Sequence, residues 1–237
     1  MLISHSHRFI FVHISKTAGS SMKRALAPYC SQPPRVGLRK VLSHLPVREN
    51  PYKVAFRPHT TARWARLKLS PPVFDSYCRF TVVRNPFDRA VSNFHFVQQR
   101  PEHHTHAHVK DLTFDGYLDF LLRRRWSHDP TQLARLVDGR GNLLCDPILK
   151  FENLDAEFRA LWQRLGLDGE PALPRRNTSR HAHYLEYYGE RATRDKVVDL
   201  FGADFDAFGY DTEPGLTSGR LAESGREDGA HFSHSLR

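Results

Sequence analysis

Lys16, Thr17, Gly19, Ser20 and Ser21 fall within six residues, directly after the apolar run RFIFVHIS (8–15) and running into the helix-like stretch SSMKRALAPYC. A buried strand, a short loop and a helix start are the parts of an anion site. The first N–H groups of the helix have no partner within it, and the helix dipole adds positive potential there. Gly19 permits close backbone approach, Lys16 adds a full charge, and the hydroxyls of Thr17, Ser20 and Ser21 can donate hydrogen bonds. An ordinary strand–helix connection with a capping serine is the plain alternative. The loop departs from the GxxxxGK[ST] pattern, in which lysine and a magnesium-holding hydroxyl follow the second glycine. Here the lysine comes first, and no acidic residue at a strand end offers itself to a metal.

A second basic signature lies in FTVVRNPFDRAVS, where Arg84 ends an apolar run and Ser92 follows eight residues later. An arginine fork grips phosphate oxygens in a bidentate way that lysine cannot. The competing role for Arg84 is an ion pair with Asp88, with Ser92 a plain helix hydroxyl. Two anion sites at two strand ends favour the ligand reading, because open α/β sheets bind ligands at the carboxyl ends of their strands.

The elements that must position these groups alternate strand and helix. The apolar runs 8–15, 52–57, 79–84 and 147–151 read as strands, the first and third continuous enough to be buried on both faces. Helices are expected after Ser20, broken near Pro28, and over 60–69 with Pro71 and Pro72 beyond the end. Further helices are expected after Asn85-Pro86, where Asn85 caps the start, and over 113–124, 154–166 and 184–208. Residues 31–51 and the HHTHAH run read as loop. The fold class that follows is α/β, with a central parallel sheet flanked by helices. From Glu213 onward glycine, serine and mixed charge dominate, so 213–237 is expected to be a disordered tail.

Charge is distributed unevenly. The chain of 237 residues carries +9, yet residues 1–100 hold 17 Lys and Arg against Glu49, Asp75 and Asp88 alone. Such a basic half points to an anionic ligand: nucleotide, polysaccharide or nucleic acid. Three scattered cysteines, Cys30, Cys78 and Cys145, indicate neither a zinc ribbon nor a disulfide scaffold. No apolar run approaches the roughly 20 residues of a membrane span, and the N-terminus lacks a signal-peptide pattern. A cytoplasmic protein without integral membrane association is therefore expected.

Taken together, ISKTAGSS resembles the 5′-phosphosulfate loop of sulfotransferases, and VVRNPFDRAVS resembles their 3′-phosphate motif. The later blocks ILKFENL, NTSRHAHYLEYY and FDAFGYD are similar to those of the carbohydrate-type (family 2-like) sulfotransferases, in the same order, over roughly residues 8–211. The resemblance implies a sulfotransferase domain over 1–212 with a three-layer, P-loop-like fold, of a bacterial, soluble type. It implies 3′-phosphoadenosine-5′-phosphosulfate (PAPS) as donor, PAP as product, no metal, and a hydroxyl of a carbohydrate or glycan-like molecule as acceptor. It implies that Lys16, Thr17, Ala18, Gly19, Ser20 and Ser21 hold the 5′-phosphate end, that Arg84 and Ser92 hold the 3′-phosphate, and that Arg180 returns to the nucleotide, although a plain loop role for Arg180 stays open.

In-line sulfuryl transfer needs positioning and charge stabilisation, for which Lys16 is the candidate, and a general base for the acceptor hydroxyl. His59 is the candidate base. It follows the expected strand 52–57 and precedes the helix 60–69, and the resemblance likewise implies a histidine between the two phosphate motifs. His44 is the rival, and His13 reads as a buried, hydrogen-bonded strand residue. His104, His106 and His108 alternate without a carboxylate or cysteine at ligand spacing, so no metal site is expected. Two other function classes remain open: a P-loop-like phosphotransferase (a kinase), and a non-catalytic polyanion binder. No known nucleic-acid motif is present, so nucleic acid is not expected as a partner.

Overall fold

A computed structural model describes residues 1–31, 33–125, 131–173 and 182–214. A four-stranded sheet in the order β1–β2–β3–β4 organises the chain. β2 (Phe9–Val12), β3 (Cys78–Val83) and β4 (Ile148–Lys150) run parallel, with Phe11 opposite Phe80 and Val82 opposite Leu149. β1 (Leu2–Ser4) adds an antiparallel edge, Ile3 facing Ile10. All four side chains of β2 are buried, as a strand covered on both faces requires.

Alternation along β2 feeds two cores. Phe9 and Phe11 join Phe80, Val82 and Leu149 against α1 (Gly19–Leu26) and α8 (Leu154–Arg164). Ile10 and Val12 join Val83 on the opposite face. There they meet α3 (Ala62–Leu69), α5 (Pro86–Gln98), α7 (Phe114–Arg124) and α9 (Arg191–Phe208). The outcome is the helix–sheet–helix sandwich expected of an α/β domain.

Local signals explain most boundaries. The Thr61 hydroxyl accepts the Trp64 N–H at the start of α3, the Thr113 hydroxyl accepts the Gly116 N–H at the start of α7, and the Asn85 side chain accepts the Phe87 N–H. α1 ends before a 3-10 turn at Ala27–Tyr29. α4 (Pro71–Ser76) begins on the two prolines that follow α3.

Several expectations are corrected. Residues 52–57 form no strand. Asn50 captures the N–H groups instead: its side chain accepts from Tyr52, and its carbonyl accepts from Lys53 and Val54. Val54 and Ala55 are buried nonetheless, which is why the segment reads as a strand in sequence. The expected loop 31–51 contains α2 (Gly37–Leu42), and α6 (His106–Val109) begins within the HHTHAH run. Residues 184–208 divide into a 3-10 helix, Tyr184–Tyr188, and α9, which kinks at Phe201. β1 was not expected. The expected tail falls, from residue 215 on, outside the described residues.

Candidate active site

The loop between β2 and α1 turns through two left-handed residues that are not glycine, Lys16 (φ 67°) and Ala18 (φ 57°). Each such residue costs on the order of 1–3 kcal/mol and persists only where its surroundings impose it. The Thr17 hydroxyl is buried and donates to the Ile14 carbonyl at 3.1 Å, so this side chain holds the loop's shape. Ser20 is exposed and Ser21 buried in the first turn of α1. Gly19 is required by a neighbour within the chain: a Cβ there would overlap the His13 imidazole.

Lys16 Nζ stands 4.4 Å from the centroid of Phe96 on α5, and Arg100 lies over the same ring at 5.1 Å. Burial, with the positive charges of Arg84 and Arg100, lowers the Lys16 pKa to about 8. A lysine in that condition marks excess positive potential, which a bound anion would relieve.

Arg84 reaches the same loop. Its Nη1 donates to the Lys16 carbonyl at 3.3 Å, while Nε and Nη2 grip both oxygens of Asp88 at 2.9 and 2.6 Å. The guanidinium lies 4.3 Å from the centroid of Phe151. The ion pair with Asp88 weighed for Arg84 is present, and it orients the fork with Nη1 turned to the Lys16 carbonyl. Arg89, one turn further, donates from Nε to the Ser15 carbonyl at 3.4 Å. The two arginines of the second signature therefore attach to consecutive carbonyls of the first. Ser92 is buried two turns into α5.

His59 follows in the left-handed conformation (φ 57°), its ring centroid 4.5 Å from that of His13. Burial lowers its pKa, opposed by an interaction with the His13 backbone; the positive charges of the N-terminus, Arg135 and Lys23 lower it further. His13 is lowered to about 3, first by burial and then by His59, the N-terminus and Lys23. The Nδ1 atoms of both rings are buried without a hydrogen-bond partner among the described residues. His13 stands just past β2, so its expected hydrogen-bonded strand role is replaced by contact with Gly19 and His59. His44 is exposed and sits among Arg57, Arg35 and Lys40, outside this cluster.

Other candidates are placed elsewhere. His106 Nδ1 lies 2.9 Å from the Val97 carbonyl and His103 Nδ1 lies 2.8 Å from the Thr105 hydroxyl. Among the described residues no three His, Cys, Asp or Glu converge as metal ligands. Glu152 accepts the Asn85 N–H at 2.6 Å and the Tyr210 hydroxyl at 2.9 Å, fixing the start of α5. Asn177, Ser179 and Arg180 lie outside the described residues.

The sequence matches the model of the sulfotransferase family over residues 1–211. The chain belongs to the sulfotransferase family. Among solved structures it is similar to a sulfotransferase from Alicyclobacillus acidocaldarius, at 17% identity and TM-score 0.45, covering 86% of this chain and 96% of that one. It is also similar to mouse sulfotransferase SULT7A1 complexed with PAP, at 15% identity and TM-score 0.36, covering 94% and 91%. No curated protein sequence matches.

This member of the sulfotransferase family carries supports that the motifs do not reveal. Gln132, fully buried, accepts the Arg84 N–H at 2.9 Å and donates to the Arg84 carbonyl at 2.9 Å. Asp204 on α9 accepts the N–H groups of Gln132 and Leu133 and lies 3.9 Å from Arg89. Burial raises its pKa. Two cavities adjoin α3. One, of about 720 Å³, is lined by Arg48, Arg63, Trp64, Arg66 and Asp138 among others. The other, of about 420 Å³, includes Thr61, Leu133 and Ala134. Arg135 ties that second wall to the site by donating to the His59 carbonyl at 3.4 Å. Among the described residues no helix is long and apolar enough to cross a membrane.

Proposed function

We propose that the chain transfers a sulfuryl group from PAPS to a hydroxyl of a carbohydrate or glycan-like acceptor by in-line displacement, with His59 as general base. The contact of Arg84 with the Lys16 carbonyl supports this reading, because it joins the two basic segments at the carboxyl ends of the neighbouring strands β2 and β3. The residues present fit a doubly anionic nucleotide. Arg84 and Arg100 stand close enough to Lys16 to help lower its pKa, and Asp88 is the carboxylate that pairs with Arg84.

The donor would bring the sulfuryl group and leave as PAP. Lys16 and the N–H groups from Ala18 to Ser21 would hold its 5′ end, with Lys16 opposing the negative charge that develops on the leaving oxygen. Arg84 and Ser92 would hold the 3′-phosphate, which distinguishes PAPS from ADP-like nucleotides; Arg180 belongs to the same proposal. His59, kept neutral by burial, would accept the acceptor's proton at a ring nitrogen. His13, packed between Gly19 and His59, holds that ring against the donor loop. The groove beside Trp64, Arg48 and Arg63 opens on the helix that follows His59 and supports a polar acceptor there.

Incubation with radiolabelled PAPS and a panel of soluble glycans in EDTA tests the reading. Label in glycan, lost in His59→Ala, is the expected result. Label confined to phenolic or amine acceptors would overturn the carbohydrate assignment. Magnesium-dependent phosphate transfer from ATP would overturn the whole.

A further inference from the structure

Six of the nine most exposed large apolar side chains among the described residues lie between residues 36 and 52: Val36, Leu38, Val41, Leu45, Val47 and Tyr52. Leu38 is 72% exposed and Val36 64%. In a folded domain such clustering marks a surface that something covers.

The patch is held in shape from beneath. Helical winding continues past α2, because the N–H groups of Ser43, His44 and Leu45 donate to the carbonyls of Arg39, Val41 and Leu42. Leu38, Val41 and Leu45 therefore share one stripe, spaced three and four residues apart. Lys68 on α3, fully buried, donates to the Leu42 and Leu45 carbonyls at 2.9 and 3.2 Å and pairs with Glu49. The Glu49 N–H in turn donates to the Lys68 carbonyl at 3.1 Å. A buried lysine thus fastens the segment to α3 with its apolar stripe outward.

Around the stripe the charge has one sign. Lys40, Arg48, Lys53 and Arg57 are exposed, and Arg35 and Arg39 are half-buried. Glu49 is the only Asp or Glu before Asp75, and Lys68 engages it. A second copy of the chain would bring cations against cations. A soluble polyanion would answer the charge and leave the leucines in water. A bilayer with anionic headgroups answers both: the cations meet phosphate, and the aliphatic stripe enters the boundary below.

We infer that residues 35–57 form a peripheral docking surface for an anionic lipid bilayer. Leu38, Val41 and Leu45 insert, while Lys40, Lys53 and Arg57 pair with headgroups. Leu38 and Val41 line neither cavity and are not among the residues assigned to the donor, so donor binding reports on folding independently of docking.

Co-sedimentation of the full chain with vesicles tests this. The protein is expected to pellet with phosphatidylcholine–phosphatidylglycerol vesicles, to stay in solution with phosphatidylcholine alone, and to bind less as salt rises. Leu38→Ser/Val41→Ser is expected to weaken binding about tenfold, from the two apolar groups no longer buried. Its thermal stabilisation by adenosine 3′,5′-bisphosphate should equal that of the parent, which shows that it is folded. Equal pelleting of parent and double variant would overturn the stripe's role, and absence of pelleting with anionic vesicles would overturn the inference. So would sedimentation velocity showing a dimer that the double variant dissolves, without vesicle binding by either.

Discussion

The Nη1 atom of Arg84 lies 3.3 Å from the carbonyl oxygen of Lys16, two residues 68 positions apart in sequence. With Arg89 on the Ser15 carbonyl, it makes the second basic signature part of the wall of the first. Arg84→Lys is expected to keep a charge and lose the fork, since an ammonium cannot reach Asp88 and the loop together. Affinity for PAP should fall about tenfold or more, and thermal stability should drop even without nucleotide. Calorimetry and melting curves on the same preparation check both; unchanged affinity would separate Arg84 from the nucleotide.

Lys16 gives a pH signature. Burial and its cationic neighbours hold the free lysine at about 8, and a bound phosphate favours the charged form and raises that value. Binding of PAP near pH 8 should therefore take up protons, and affinity should decline as pH rises through 8. Titrations in buffers of different ionisation enthalpy measure the uptake directly. Lys16→Met should abolish it.

His59→Ala should leave nucleotide stabilisation intact and reduce transfer by roughly a hundredfold or more, the usual contribution of a general base. Because burial holds its pKa below the ordinary 6.5, the acid limb of the kcat/KM profile should lie below that value. His44→Ala, at an exposed position away from the loop, should match the parent enzyme.

Gly19→Ala should disturb the site through His13, whose imidazole occupies the space of the added Cβ. Nucleotide affinity should fall in the single variant. In Gly19→Ala/His13→Ala the space is restored, and affinity should recover in part. Equal affinity in both would mean that the glycine serves some other purpose.

Gln132→Ala removes two hydrogen bonds to the backbone of Arg84 and one to Asp204. A loss of about 2–4 kcal/mol in urea unfolding is expected, the cost of leaving several buried polar groups unpaired.

The sequence reveals β2, the Asn85 cap and α5 because each rests on near neighbours: an apolar run, a capping side chain, a proline at the first helical position. Residues 52–57 mislead for the same reason. Val54 and Ala55 are buried like strand residues, and only the turn at Asn50 decides otherwise. β1 is three residues long and exists through pairing with β2, so no local pattern announces it. The loop and arginine signatures could be picked out in sequence by residue type and spacing, and the fold brings the two segments into contact. Gln132 and Asp204 were not, since Gln132 lies 48 positions from Arg84, Asp204 lies 72 positions from Gln132, and neither follows a pattern. His13 is only half-buried and was misjudged in role, because its partners, Gly19 and His59, are joined to it only by the fold.

Titration calorimetry of adenosine 3′,5′-bisphosphate in EDTA, on the parent, Lys16→Ala and Arg84→Ala, tests most directly whether these two residues hold one nucleotide between them. A single metal-independent site, weakened by both substitutions, is the expected result. Undiminished binding in either variant, or tighter binding of ADP with magnesium than of the bisphosphate, would contradict it.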